Sequence, residues 1–119
     1  MPVPVPVSPL EKLWDQEMRA IYADGIKDCG YHATYFIQMV SEHGGLQTAR
    51  ILLQKEGISD GLTTLYLCGR LDLTMEARMF QRDEQGQRKW QTLFSDDEFD
   101  ITRVRLVRLA YPAALDGTL

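Results

Sequence analysis

Arg70, Asp72 and Glu76 are the first group of side chains that could do chemistry, three charges within seven residues. Asp72 and Glu76 stand four apart, so a helix would bring them to one face, as paired carboxylates are placed for acid-base work or for a hard cation. A structural role competes for the same residues. Carboxylates at a helix start are favoured by its dipole, and Arg70 can bridge Asp72 or a buried carbonyl to hold the turn. His43-Gly44-Gly45 is the second feature: glycines ahead of a helix leave backbone N–H groups open to a phosphate or carboxylate, with Arg50 near enough along the chain to assist. The plainer role of two glycines is a tight turn and close helix packing. A third feature is basic: Arg103, Arg105 and Arg108, with Arg78, Arg82, Arg88 and Lys89 upstream, could form a phosphate-binding stripe beside Trp90. Asp96, Asp97, Glu98 and Asp100 sit among them and favour a solvated, salt-bridged face instead.

Nothing in the sequence requires an enzyme, and no catalytic residue is assigned. There is no Gly-rich phosphate loop, no Ser-His-Asp or Cys-His signature and no HExxH. His32 and His43 are too poor in neighbouring ligands for zinc, and no metal or cofactor is expected. Cys29 and Cys68 lack CxxC spacing and read as small buried hydrophobes kept as thiols.

The elements that position these residues follow from periodicity and caps. Pro2, Pro4 and Pro6 alternate with valines, which favours an extended arm over residues 1–8. Ser8, Pro9 and Glu11 then open a helix whose Leu10, Trp14, Met18, Ile21 and Tyr22 recur at helical spacing, ending near Gly25 to Gly30. Tyr31 to His43 is apolar around most of its circumference and predicts a buried central helix, broken at Gly44 and Gly45. Leu46, Ala49, Leu52 and Leu53 carry a third helix to Gly57, paired with the second as a helical hairpin. Ser59 caps a short fourth helix with Leu62, Leu65 and Tyr66 inward until Gly69, and Thr74 opens a fifth through Met75, Met79 and Phe80. Asp83 to Lys89 is an exposed loop, after which Trp90, Leu93 and Phe94 return to the core.

The last element is ambiguous, because Phe99, Ile101, Val104, Leu106, Val107 and Leu109 fit neither a period of 3.6 nor one of two. Its ends arbitrate: Ser95 with Glu98 makes a capping box, acids follow, and arginines close it. Helix over 96–110 is therefore the reading, with a terminal strand as the alternative. The fold class is all-α, a compact bundle of about five to six short helices: an arm over 1–8, one helical domain over 9–111 and a loose tail over 112–119.

At 119 residues, 45% hydrophobic and 25% charged, the chain has the size and composition of one globular domain. A net charge of -4 gives no electrostatic reason for nucleic-acid or membrane binding. With neither a signal-peptide pattern nor a stretch of ~18 apolar residues, a cytoplasmic location is expected.

The run Ser41 to Arg50, then Ser59-Asp60-Gly61, then Gly69-Arg70-Leu71-Asp72-Leu73-Thr74-Met75-Glu76, then Trp90 to Phe94 resembles a family of small bacterial helical proteins. Its pattern is GG, SDG, L-aromatic-x-x-GRLDLT-x-E and LF-x-x-x-E, over about residues 31 to 110. Tyr66 stands where the pattern has Trp, and the loop from Gln81 to Lys89 is longer than usual. The resemblance implies a shared helical domain and carries no activity.

The leading functional expectation is a non-catalytic interaction module that binds a protein partner or a second copy of itself through an apolar groove. Its aromatic and Met content (Trp14, Tyr35, Met39, Met75, Met79, Phe80, Trp90) exceeds what one small core covers. The alternatives are nucleic-acid binding through the last helix or the fourth and fifth, and, less favoured, a small-molecule binder or enzyme using Arg70, Asp72 and Glu76. Placement among mobile-element or phage-defence genes would be the informative genomic context.

Overall fold

Ser8 caps the first helix as its position before Pro9 requires, its side-chain oxygen accepting the Glu11 N–H at 3.1 Å. The computed structural model describes residues 8–119, so the Val-Pro arm lies outside the described residues apart from Ser8. Among the described residues there are seven α-helices, a single 3-10 turn and no strand, which is the all-α fold class the periodicity implies. The chain divides into two compact units, one ending at Glu56 and the other running from Gly57 to Leu119.

The first unit is made of α1 (Pro9–Cys29), α2 (Thr34–His43) and α3 (Gly45–Gln54), each packed on the other two. Trp14, Met18, Ile21 and Gly25 repeat every three to four residues and form the buried stripe of α1. Gly30 ends that helix in the left-handed region, φ 62°, and its N–H donates to the Ile26 carbonyl at 2.9 Å. The helix expected over 31–43 forms as α2, but it is not the buried centre of the bundle. Val40 is the buried residue of α2, Tyr35 is 84% exposed, and the helix starts only at Thr34. Two neighbours cover one stripe of a ten-residue helix, so Phe36, Ile37 and Met39 are only half-buried and Tyr35 stays at the surface. On α3, Thr48, Ala49 and Leu53 are buried, and the helix stops at Gln54 with Lys55 extended, before the glycine expected to end it.

Thr48 is fully buried and its hydroxyl has no hydrogen-bond partner among the described residues. Burying an unpaired hydroxyl costs about 1–3 kcal/mol, so Thr48→Val should stabilise the first unit by about 1 kcal/mol. A lower denaturation midpoint for this variant would mean that the hydroxyl is satisfied.

The second unit holds α4 (Asp60–Leu67), the 3-10 turn Leu71–Leu73, α5 (Met75–Met79), α6 (Asp96–Arg108) and α7 (Pro112–Leu115). Ser59 caps α4 through the Leu62 N–H at 3.1 Å. Leu62 and Leu65 point inward, but Tyr66, expected with them, is 45% exposed. Thr74 closes the 3-10 turn and opens α5 at once: its hydroxyl donates to the Leu71 carbonyl at 2.7 Å and accepts the Ala77 N–H at 3.0 Å. The loop between α5 and α6 is exposed at its tip yet ordered, with the Asp83 carboxylate accepting the Gln85 and Gln87 N–H groups at 2.9 Å each. Trp90, Leu93 and Phe94 return to the core as expected. There Phe99 lies between Phe80 and Phe94, ring centroids 5.3 and 5.9 Å away, the first pair tilted and the second edge-to-face.

Helix, not strand, is the form of the last long element, and the Ser95–Glu98 capping box is complete in both directions. The stretch expected as a loose tail contains α7, with the Thr118 and Leu119 carbonyls accepting hydrogen bonds from Arg82 (3.4 Å) and Arg88 (3.2 Å).

Candidate functional site

Gly45 does receive an anion at the start of α3, and it is the protein's own, whereas the Gly44 N–H donates to the Val40 carbonyl at 2.8 Å. The Gly45 N–H donates to Asp15 Oδ1 at 2.8 Å, while Asp15 Oδ2 accepts from Arg19 Nε at 2.9 Å. Asp15 lies on α1, so this carboxylate ties the two helices and occupies the position a phosphate would need. A Cβ on Gly45 would stand 2.9 Å from Asp15 Cα and 3.3 Å from atoms of Met18 and Trp14, which identifies the glycine as the point where the helices touch. Gly44 between α2 and α3 has φ 81° and ψ 163°, a backbone region essentially restricted to glycine. Arg50 is exposed on α3.

Asp72 and Glu76 do not form a pair. Asp72 sits in the 3-10 turn, where Arg70 Nε and Nη2 each donate to one of its oxygens at 3.0 Å. That fork holds its carboxyl below the ordinary carboxylate value, the hydrogen bond from Arg70 being the largest cause. With both side chains more than a third exposed, the pair fixes the local turn and adds little global stability. Glu76 faces the other way, into the core, where Arg105 Nη1 meets its Oε2 at 3.4 Å and each side chain is 9% exposed. Burial raises the Glu76 pKa above 4.5, and the Arg105 charge offsets this in part. Arg70 and Asp72 are thus together and Glu76 apart, because the tight turn before Thr74 breaks the helical register that i, i+4 spacing assumes.

The basic stripe is likewise dispersed. Arg105 is buried on Glu76, and Arg103 pairs with Asp100 at 2.8 Å. Arg88 lies over the rings of Phe80 and Phe99, 5.2 Å from each centroid, and Arg103 lies 5.5 Å from Phe80. Burial first, then the Arg103 and Arg82 charges, lowers the Arg88 pKa. Lys89 lies 5.1 Å from the Trp90 ring. These cations cover aromatic edges of the core in place of a free phosphate-binding row.

No family model, curated protein or solved structure matches this chain.

Among the described residues, no group of three or more His, Cys, Asp or Glu side chains is placed to hold a metal ion, and no helix is long and apolar enough to cross a membrane. The expectation of two buried thiols is corrected on both counts. Cys29 is half-buried, Cys68 is exposed, and neither is a free thiol.

What the sequence reading missed is the outer face of α6. Ile101, Val104 and Val107 are 43%, 52% and 43% exposed, while Phe99, Thr102, Arg105 and Leu106 are buried. Two apolar stripes are interleaved on this one helix, which is why its pattern fits no single period. Separating the positions into two rows of helical spacing, 99-102-106 and 101-104-107, is the signal that would have found the second.

Proposed function

We propose that this chain is a non-catalytic protein-interaction module that docks a protein partner, its own copy included, through an apolar face. The observation that supports it is the exposed aliphatic row Ile101, Val104 and Val107 on α6, a helix otherwise rich in charge. β-Branched side chains at consecutive helical positions give a stiff apolar strip that gains free energy when a second helix covers it. Kinship with the GG, SDG and GRLDLT family is part of this proposal and adds a helical scaffold without an activity. The two carboxylates that an enzyme reading would use are separated, and two arginines of the last helix that a nucleic-acid reading would use are held by Glu76 and Asp100. The cytoplasmic location is expected from the lack of a signal-peptide pattern, and the thiols that such a reducing compartment would keep are not found, since neither cysteine is free.

A photo-crosslinking amino acid placed at Val104, in cells of the source organism, tests the reading. A discrete protein adduct is expected there, lost when Ile101→Glu is added, and none at exposed Gln47. The absence of any discrete adduct at Val104 would remove the proposal.

A further inference from the structure

We infer that the occupant of the α6 face is a second copy of α6, packed antiparallel; the inference rests on the interaction-module reading above. Asp97, Ile101, Val104 and Arg108 follow one another at spacings of four, three and four, so they form a single row along the exposed side of the helix. The row is apolar at its centre, with an acid at the amino end and a base at the carboxyl end. All four residues are exposed, and neither Asp97 nor Arg108 has an ion-pair partner among the described residues.

A row of this kind complements itself under a two-fold rotation. With the axis between residues 102 and 103, Ile101 lies opposite the partner's Val104, and Asp97 lies opposite the partner's Arg108. The symmetry then supplies each contact a second time. A parallel arrangement would set Asp97 against Asp97 and Arg108 against Arg108, so the charges select the antiparallel one. The row spans about 16 Å at 1.5 Å per residue. One helix face of that length buries less than a standard interface, so the dimer should be weak and concentration-dependent.

Sedimentation equilibrium of the purified full chain is expected to show monomer passing to dimer, with no larger species, between about 1 µM and about 1 mM. Asp97→Arg and Arg108→Asp each place like charges opposite one another twice per dimer, and each should raise the dissociation constant at least ~10-fold. Carrying both substitutions on one chain restores the pair in reverse and should recover the wild-type constant to within about threefold. Mixing the two single variants should also give a heterodimer tighter than either homodimer. Val104→Glu should abolish the dimer while the helical circular dichroism spectrum is unchanged. A strict monomer over the whole range, or a double variant as weak as the singles, would overturn the inference. If the chain is a strict monomer and Val104 crosslinks to a different protein, self-pairing fails and the interaction reading stands. A strict monomer with no adduct removes both.

Discussion

Glu76→Gln should lower the stability of the second unit by about 3 kcal/mol, roughly 10 °C in melting temperature for a chain of this size. The substitution keeps the shape of the side chain and removes its charge, leaving the Arg105 guanidinium buried opposite a neutral amide. A buried cation that has lost its carboxylate is far costlier than the pair, whose own net contribution is small because both groups have surrendered water. Replacing both partners, Glu76→Leu with Arg105→Met, should therefore recover most of the loss. A double variant as unstable as Glu76→Gln would show that the ion pair itself stabilises the unit.

The single change Arg105→Met gives a result that depends on pH. Burial already raises the Glu76 pKa above 4.5, and removing the Arg105 charge that opposes the shift must raise it further. A carboxyl whose folded pKa is raised binds its proton more tightly in the native state, so the stability it contributes is complete below 4.5 and is lost as pH rises through the folded value. The Arg105→Met variant should thus be strongly destabilised near neutral pH and approach the wild type as the solution is acidified toward pH 4.5. Thermal melts across that range measure it directly. A gap that stays constant with pH would mean that Glu76 does not titrate there, and the assignment of its shift to burial would fail.

Gly45→Ala should destabilise the first unit by about 3 kcal/mol, at the upper end of the cost of inserting a methyl into a packed contact. The new Cβ would meet backbone, Asp15 Cα at 2.9 Å, so no rotamer change relieves it and α1 must move away from α3. That movement also stretches the 2.8 Å hydrogen bond from the Gly45 N–H to Asp15. The gain of up to about 1 kcal/mol from replacing glycine inside a helix is too small to reverse the sign. Urea denaturation should show a lower midpoint with an unchanged slope. A midpoint equal to that of the wild type would show that the helices part freely and that Gly45 is no contact point.

Much of the architecture is written in local chemistry. Ser8, Ser59, Thr74 and Ser95 each stand where a hydroxyl can accept an N–H from the first helical turn, and all four do so. Trp14, Met18 and Ile21 recur on one side of α1 and must be buried together, whatever packs on them. The capping box at Ser95 likewise decided helix over strand, because its bonds involve residues three apart and need nothing from the rest of the chain.

The candidate site was legible in residue type and illegible in partnership. That an anion belongs at Gly44 and Gly45 follows from helix-terminal N–H groups; that the anion is Asp15, thirty residues earlier, follows only from how α1 crosses α3. Arg70 and Asp72 are two residues apart, and their fork is local enough to anticipate. Glu76 and Arg105 are twenty-nine residues apart, and no periodicity records that the turn before Thr74 sends one carboxylate to solvent and the next into the core. By itself, then, the sequence determined the helices and most of their inward faces, because capping and amphipathic spacing act within a few residues. Tertiary structure alone decided which charges are buried, which cations cover aromatic rings, and which of the two stripes of α6 is left outside, because burial depends on what lies opposite.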